Sequence, residues 1–184
     1  MYNKNGSICV IAGRPGAGKT IWATEETLSY LRDKNNIVVY IGYRTERERL
    51  VRLVNERFGD SEHGQLIHAG YDHAGQAIGQ AIDIANADAP LPEGMSHDQP
   101  EDSSSSRLVF VIYDQCRFDI FPGRRDLLEA AAKAGVRVCV LCQVFSQVDK
   151  NDIDWLTQNC TSYIISKTRP PRLATRNEIE FVYR

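Results

Sequence analysis

Short apolar runs alternate with amphipathic stretches along most of the chain. The runs are nearly continuous and rich in valine and isoleucine, as in parallel strands that are buried on both faces. They lie at 7–13, 36–42, 65–70, 107–114 and 136–143. Stretches with helical spacing of apolar residues lie between them, at 18–33, 46–58, 73–85 and 124–134. This repeated strand–helix order predicts an α/β domain with a mainly parallel, doubly wound sheet flanked by helices.

The end of the chain breaks this alternation. Residues 162–167 and 178–184 have the composition of strands, and the segment between them contains Pro170 and Pro171. Two strands joined by a short connection predict a C-terminal antiparallel hairpin at the edge of the sheet.

Length, charge and composition narrow the class of protein. The 184 residues suit a single domain, 1–184, and the net charge of −2 argues against a passive nucleic-acid binder. Residues 86–106 hold five acids and no lysine or arginine, so we expect a disordered acidic loop there.

The five cysteines lack framework spacing, and Cys139 and Cys142 are expected to be core thiols on opposite faces of a strand. Without an apolar run of about 20 residues, we expect a cytoplasmic protein with no membrane span.

Residues 13–20 read GRPGAGKT and fit the phosphate-binding pattern G-x-x-x-x-G-K-[ST] between a strand and a helix. Gly16 and Gly18 let the main chain turn its N–H groups toward a phosphate. Lys19 is expected to reach the β and γ phosphates of ATP, and Thr20 to ligate Mg²⁺. The predicted nucleotide-binding residues are Gly13, Arg14, Pro15, Gly16, Ala17, Gly18, Lys19, Thr20 and Ile21.

A second magnesium ligand is expected at the end of a neighbouring strand. Asp114 closes the apolar run 107–114 and is the candidate, together with Thr20. Gln115 follows it, where many ATPases place a glutamate that accepts a proton from water. An amide positions water but does not accept its proton, so either the base lies elsewhere or hydrolysis is slow.

Residues 38–53, VVYIGYRTERERLVRL, look like the second strand and following helix of RecA-type ATPases of the DnaB and KaiC groups. Those families carry a catalytic glutamate just past this strand. The matching position falls on Arg44 or its neighbours, and the nearest acid is Glu46, which is either the base or part of a solvated helical turn. Residues 127–148 resemble the DnaB-type helix, fifth strand and terminal glutamine, which implies that Gln143 lies beside the γ-phosphate.

Residues 163–184 resemble the terminal hairpin of DnaB-type helicases, whose Lys-x-Arg pair reaches the ATP of the neighbouring subunit. The resemblance assigns that role to Lys167 and Arg169. It implies a RecA-like P-loop NTPase that forms a homo-oligomer, normally a ring, with single-stranded DNA as an expected partner. FtsK, HerA and conjugative coupling ATPases are similar in placing a glutamine after the late strand. They usually have Asp-Glu where this chain has Asp114 and Gln115.

Three functions remain open from the sequence. The first is an ATPase that works as an oligomeric DNA helicase or translocase, with Lys19, Asp114, Gln143, Glu46, Lys167 and Arg169 as its catalytic residues. The second is a nucleotide-dependent assembly or regulatory ATPase with little hydrolysis, or a conjugation- or packaging-type ATPase. The third is a small-molecule kinase, although no arginine-dense lid segment is evident. Arg117, Arg124 and Arg125 contact DNA phosphates, are ordinary surface charges or form subunit contacts, and the sequence leaves these alternatives open.

Overall fold

The computed structural model describes residues 7–87, 107–114, 124–143, 155, 158–166 and 169–174. Their strands and helices follow the order expected from the apolar pattern. The strands are β1 (Ser7–Ala12), β2 (Ile37–Ile41), β3 (Gln65–Ala69), β4 (Val109–Tyr113), β5 (Arg137–Cys142), β6 (Cys160–Ser166) and β7 (Arg169–Leu173). The helices are α1 (Lys19–Tyr30), α2 (Arg44–Phe58), α3 (Ala74–Ala87) and α4 (Arg124–Lys133), with a 3-10 turn at Tyr71–His73.

The strands form one mostly parallel sheet in the order β3-β2-β4-β5-β1-β6-β7. All neighbouring strands are parallel except β6 and β7, which are antiparallel. The predicted fold class, a mainly parallel sheet flanked by helices with a C-terminal antiparallel pair, is confirmed. Because parallel strands end at the same edge, the segments after β1, β2, β4 and β5 meet on one side of the molecule.

The sheet is covered on both faces, which explains why the strand sequences are nearly continuous apolar runs. In β2, Val39 packs into a core shared with α3 and α4, whereas Val38 packs into a core shared with α1 and α2. Cys142 belongs to the first of these cores and Cys139 to the second, so the two thiols lie on opposite faces as expected. Burial raises the pKa of Cys142 to about 12 and raises that of Cys139 as well, as is usual for inert core thiols.

The C-terminal strand pair differs in its boundaries from the prediction. β6 pairs with 169–173, with Tyr163 opposite Leu173, so Pro170 and Pro171 lie within a strand and not in a connection. Proline lacks an N–H and is tolerated in a strand whose N–H groups face away from its partner, as at the edge of a sheet. The segment 178–184, which was expected to form this strand, lies outside the described residues. So do residues 88–106 of the expected acidic loop, whereas residues 86 and 87 are the end of α3.

Two glycines, one in a crowded site and one with open space around it, give a test of the packing. A Cβ atom on Gly64 would lie 2.5 Å from the carbonyl oxygen of Asn36 and 2.7 Å from that of Asp33. Gly79 lies inside α3, and a Cβ atom there would meet nothing within 4 Å. We expect Gly64→Ala to lower the free energy of unfolding by about 1–3 kcal/mol. Gly79→Ala should raise it by about 0.5–1 kcal/mol because alanine favours the helix. Urea denaturation measures both, and equal effects of the two variants would contradict this packing.

Candidate functional site

The loop between β1 and α1 is held in the shape that a phosphate site requires. Gly16 and Gly18 have φ angles of 72° and 96°, in the left-handed region that favours glycine, and Gly18 caps the start of α1. The amide of Gly13 donates to the carbonyl oxygen of Gln143 at 3.0 Å. A Cβ atom on Gly13 would lie 2.7 Å from Cγ2 of Ile165. The loop is therefore fixed between the ends of β5 and β6, on either side of β1.

Lys19 is nearly buried beneath this loop. Its Nζ donates to the carbonyl oxygen of Gly13 at 2.6 Å and to that of Arg14 at 3.2 Å. Burial lowers the pKa of Lys19, and the nearby Cys142 and Asp114 oppose that shift. The ammonium group thus has main-chain partners within the loop and lines the adjoining pocket.

An open pocket of about 310 Å³ adjoins the loop. Such a volume lies within the range of small-molecule sites. The pocket gathers residues from the predicted nucleotide site together with the glutamine at the end of β5. Its lining residues are Pro15, Gly16, Gly18, Lys19, Thr20, Ile21 and Gln143. The main-chain N–H groups at the start of α1 and the helix dipole favour an anion at this position.

Asp114 is 1% exposed and follows β4, and its carboxylate lies beside the start of α1. Its Oδ2 accepts hydrogen bonds from Thr20 Oγ1 at 3.0 Å and from the hydroxyl of Tyr40 at 2.8 Å. Its main-chain carbonyl accepts from the hydroxyl of Tyr71 at 2.8 Å. The structure therefore brings together the two residues, Thr20 and Asp114, that the sequence suggested as magnesium ligands.

Tyr40 and Tyr71 are site residues that the sequence reasoning missed. Burial, then Asp114, raises the pKa of Tyr40, so its hydroxyl remains a donor at physiological pH. Tyr71 lies 6.0 Å from Tyr113 and 4.9 Å from the exposed ring of Tyr43, measured between ring centroids. The available signal was Tyr40 itself, because a tyrosine inside a buried strand requires a hydrogen-bond partner for its hydroxyl.

The two candidates for the catalytic-glutamate position differ in their surroundings. Arg44 is exposed and pairs with Glu48, with 3.1 Å between Nε and Oε1. Glu46 is partly buried in the first turn of α2. Its charge contributes to the raised pKa of Tyr40 and opposes the lowering of the pKa of His68. The helix begins at Arg44, two residues earlier than expected, so the turn before it is short. Glu46 therefore lies on the same edge of the sheet as Asp114, and its role as a base stays a prediction.

The remaining predicted residues are only partly described. Gln143 follows β5 directly, is exposed and lines the pocket. Arg169 begins β7 and Arg124 begins α4, and only the main chain of each is described. The guanidinium carbon of Arg125 lies 5.8 Å from the centre of the Trp155 ring, a contact within the chain itself. Gln115, Arg117 and Lys167 lie outside the described residues.

The donor atoms of the site fit magnesium. Mg²⁺ prefers oxygen ligands and keeps several of its ligands from water or phosphate, and the Thr20 hydroxyl and Asp114 carboxylate match this preference. No group of three or more histidine, cysteine, aspartate or glutamate side chains suited to a metal occurs among the described residues. A metal in the pocket would therefore be held by Thr20 and Asp114 together with a bound phosphate.

Among the residues that the structure describes, no helix is long and apolar enough to cross a membrane.

Comparisons with known proteins give a fold-level likeness only. No protein-family model matches the chain, and no curated protein matches it. The ATPase DotB of Legionella pneumophila has a similar structure, with a TM-score of 0.46 and 14% identity over 88% of this chain and 41% of DotB. The structure of ATPases 2 and 3 of Thermomonospora curvata EccC matches with a TM-score of 0.45 and 13% identity, over 86% of this chain and 30% of EccC. The chain therefore spans less than half of either protein. What the chain's own residues show is a glycine-rich loop between a strand and a helix of a mainly parallel sheet.

The hydrogen bond from Tyr40 to Asp114 can be tested by its contribution to stability. Tyr40→Phe removes one of the two donors to a buried carboxylate oxygen, so the free energy of unfolding should fall by about 1.5–3 kcal/mol. Tyr43→Phe is the matched control, since the ring of Tyr43 is exposed.

The pH dependence of this difference follows from the raised pKa of Tyr40. The unfolded chain loses this proton near pH 10, whereas the folded protein keeps it. The stability that the protonated Tyr40 hydroxyl contributes is complete below pH 10 and is lost as the pH rises. The difference between the parent and Tyr40→Phe should therefore shrink above pH 10 by up to about 1.4 kcal/mol per pH unit. Chemical denaturation from pH 8 to pH 11 measures it, and a constant difference would argue against a buried, protonated phenol.

Proposed function

We propose that this chain is a Mg²⁺-dependent ATPase of the RecA-like type that assembles into a ring and acts as a motor on DNA, of the helicase or translocase kind. The observation that carries the proposal is the convergence of Lys19, the Thr20–Asp114 pair and Gln143 at one edge of the sheet. Each of these groups has a distinct role in phosphoryl transfer, so their convergence supports an ATPase.

The loop and the start of α1 would bind the phosphates of ATP. The main-chain N–H groups and the helix dipole face the anion, and the ammonium of Lys19 adds a full positive charge. Thr20 and Asp114 would hold Mg²⁺. When bound, the metal neutralises charge on the phosphate oxygens and polarises the terminal phosphoryl group. Tyr40 and Tyr71 keep Asp114 in position because one bonds its carboxylate and the other its main-chain carbonyl.

We assign water activation to Glu46 and recognition of the terminal phosphate to Gln143. Glu46 is the acid in the first turn of α2. Its charge contributes to the raised pKa of Tyr40, whose hydroxyl donates to Asp114. Gln143 lies on the pocket wall at the end of β5, the strand between β1 and β4. The glutamine amide is suited to report whether the terminal phosphate is present.

The neighbouring subunit would complete the site with Lys167 and Arg169. β6 is parallel to β1, so the end of β6 lies at the same edge of the sheet as the phosphate loop. The connection from β6 to β7 follows directly, and β7 is the outermost strand on that side of the described sheet. We infer that this basic pair acts across the interface, where it would stabilise transition-state charge.

One observation favours a second candidate, a nucleotide-dependent assembly or regulatory protein with little hydrolysis. The position that matches the catalytic glutamate of the DnaB and KaiC groups falls on Arg44 or its neighbours, and Arg44 pairs with Glu48 in solvent. If Glu46 does not act as a base, ATP binding would drive assembly while turnover stays low. A conjugation- or packaging-type ATPase is a further alternative and differs in the partner on which it acts.

Steady-state ATP hydrolysis over a range of protein concentrations, with and without single-stranded DNA, distinguishes these functions. A DNA motor should show a concentration threshold and stimulation by DNA. Lys19→Ala and Arg169→Ala should each reduce turnover by about 100-fold or more. Lys34→Ala, at a surface pair with Glu62, and Arg172→Ala, in the same strand as Arg169, should retain activity. Tight ATP binding with negligible turnover in all conditions would favour the assembly protein, and phosphate transfer to a small acceptor would establish a kinase.

Glu46 and Glu48 form a matched pair for the base. Glu46→Gln keeps the size of the side chain and removes its ability to accept a proton, so turnover should fall by about 100-fold. Nucleotide affinity should be unchanged because the phosphate loop is intact. Glu48→Gln alters the exposed partner of Arg44 and should leave turnover unchanged. Comparable activity of both variants would remove Glu46 from the mechanism.

A further inference from the structure

A second cavity lies at the β3 edge of the sheet, and none of its lining residues contributes to the nucleotide pocket. It has a volume of about 300 Å³ and is formed by α2 on one side and by β3 with its preceding loop on the other. We call it the α2–β3 groove. The residues that define it are Arg47, Val51, Asn55, His63, Leu66 and His68.

The groove runs beside a strand with an unused hydrogen-bonding edge in the described sheet. β3 is the outermost strand and pairs with β2 alone. The amide of Gln65 donates to Asn36, and the carbonyl of Ala69 accepts from Gly42, so these main-chain groups face β2. In a parallel ladder, alternate residues face opposite sides. The N–H and C=O groups of Leu66 and His68 therefore face outward, and the side chains of the same two residues line the groove.

The chemistry of the groove combines an apolar wall with a positive charge. Val51 is 45% exposed and lines the groove with Leu66. Arg44 and Arg52 each pair with a glutamate four residues later, whereas the positions four before and four after Arg47 are Tyr43 and Val51. Arg47 makes no ion pair within the described residues.

His68 adds a polar atom without a partner. Its Nε2 is buried and has no hydrogen-bond partner in the described part of the chain. Burial and the charge of Arg47 both lower the pKa of this ring, while Glu46 and the main chain of Tyr43 oppose the shift. A ligand with a carboxylate beside Arg47 and a hydrogen-bonding group beside His68 would satisfy both side chains.

We propose that the α2–β3 groove binds an extended acidic segment of a partner protein, which adds to β3 as a further strand. Main-chain hydrogen bonds to Leu66 and His68 hold the segment, and alternate side chains enter the groove. An aliphatic side chain packs against Val51 and Leu66, and a carboxylate pairs with Arg47. β3 has five residues, so the segment needs only about four or five residues in extended conformation.

The first arm of the test measures charge preference with two labelled heptapeptides, one alternating valine with glutamate and the other alternating valine with lysine. Fluorescence anisotropy with the 184-residue chain, without nucleotide, should show at least about tenfold tighter binding of the glutamate peptide. Arg47→Glu should abolish or reverse this preference. Arg49→Glu is the matched control, since Arg49 is exposed on the same helix and does not line the groove. Equal binding of both peptides, or binding of neither, would overturn the proposal.

The second arm identifies the mode of binding through amide hydrogen exchange. Saturating glutamate peptide should slow exchange at Leu66 and His68 by about tenfold or more, because their N–H groups face the added strand. The amides of Ile67 and Ala69 already face β2 and should change little. Charge-selective binding without this alternation would exclude strand addition. Protection of Leu66 and His68 without peptide, together with a concentration-dependent dimer, would show that a second copy occupies the edge and would also overturn the proposal. Neither arm depends on ATP hydrolysis.

Discussion

The carboxylate of Asp114 sets the arrangement of the site because a buried charge must be compensated by hydrogen bonds or by an opposite charge. Its 1% exposure leaves little help from solvent, and the structure meets the requirement with hydroxyl groups from separate elements. Thr20 comes from α1 and Tyr40 from β2, while Tyr71 on the 3-10 turn fixes the main chain. The packing of α1, β2 and the 3-10 turn around the end of β4 is thereby tied to one residue, Asp114, and the loop between β1 and α1 is positioned with them.

Strand order determines which groups can meet at this carboxylate. β5 separates β1 from β4, so the phosphate loop and Asp114 start on strands roughly 10 Å apart. The first turn of α1 closes that distance, since Thr20 reaches Asp114 with a 3.0 Å hydrogen bond. Gln143, at the end of the intervening strand, is left on the wall of the pocket. The amide of Gly13 bonds to the main chain of Gln143, so the loop and the glutamine cannot move independently over large distances.

The parts of the fold that depend on local periodicity were predictable, and those that depend on packing between elements were not. The apolar runs indicated β1 to β5, and the spacing in GRPGAGKT indicated the glycine-rich loop between β1 and α1, because each signal lies within a short stretch of sequence. Tyr40 was missed because its partner lies 74 residues away. The strand at 169–173 was missed because proline is acceptable only where the N–H side of a strand faces away from its partner, and strand order decides that. The position of Glu46 depended on where α2 begins, which propensity locates only to within a few residues.

The rings of Tyr40 and His68 are opposite each other in the β2–β3 register and are stacked, with their centroids 6.1 Å apart. One ring donates to Asp114, and the other lines the α2–β3 groove. Only the side chains of Tyr40 and His68 therefore lie between Asp114 and the α2–β3 groove. If a metal at Asp114 and a ligand at His68 favour different positions of these rings, the two affinities are thermodynamically linked. Each ligand must then change the affinity for the other by the same factor, so the strength of metal binding would report whether the distant edge of the sheet is occupied.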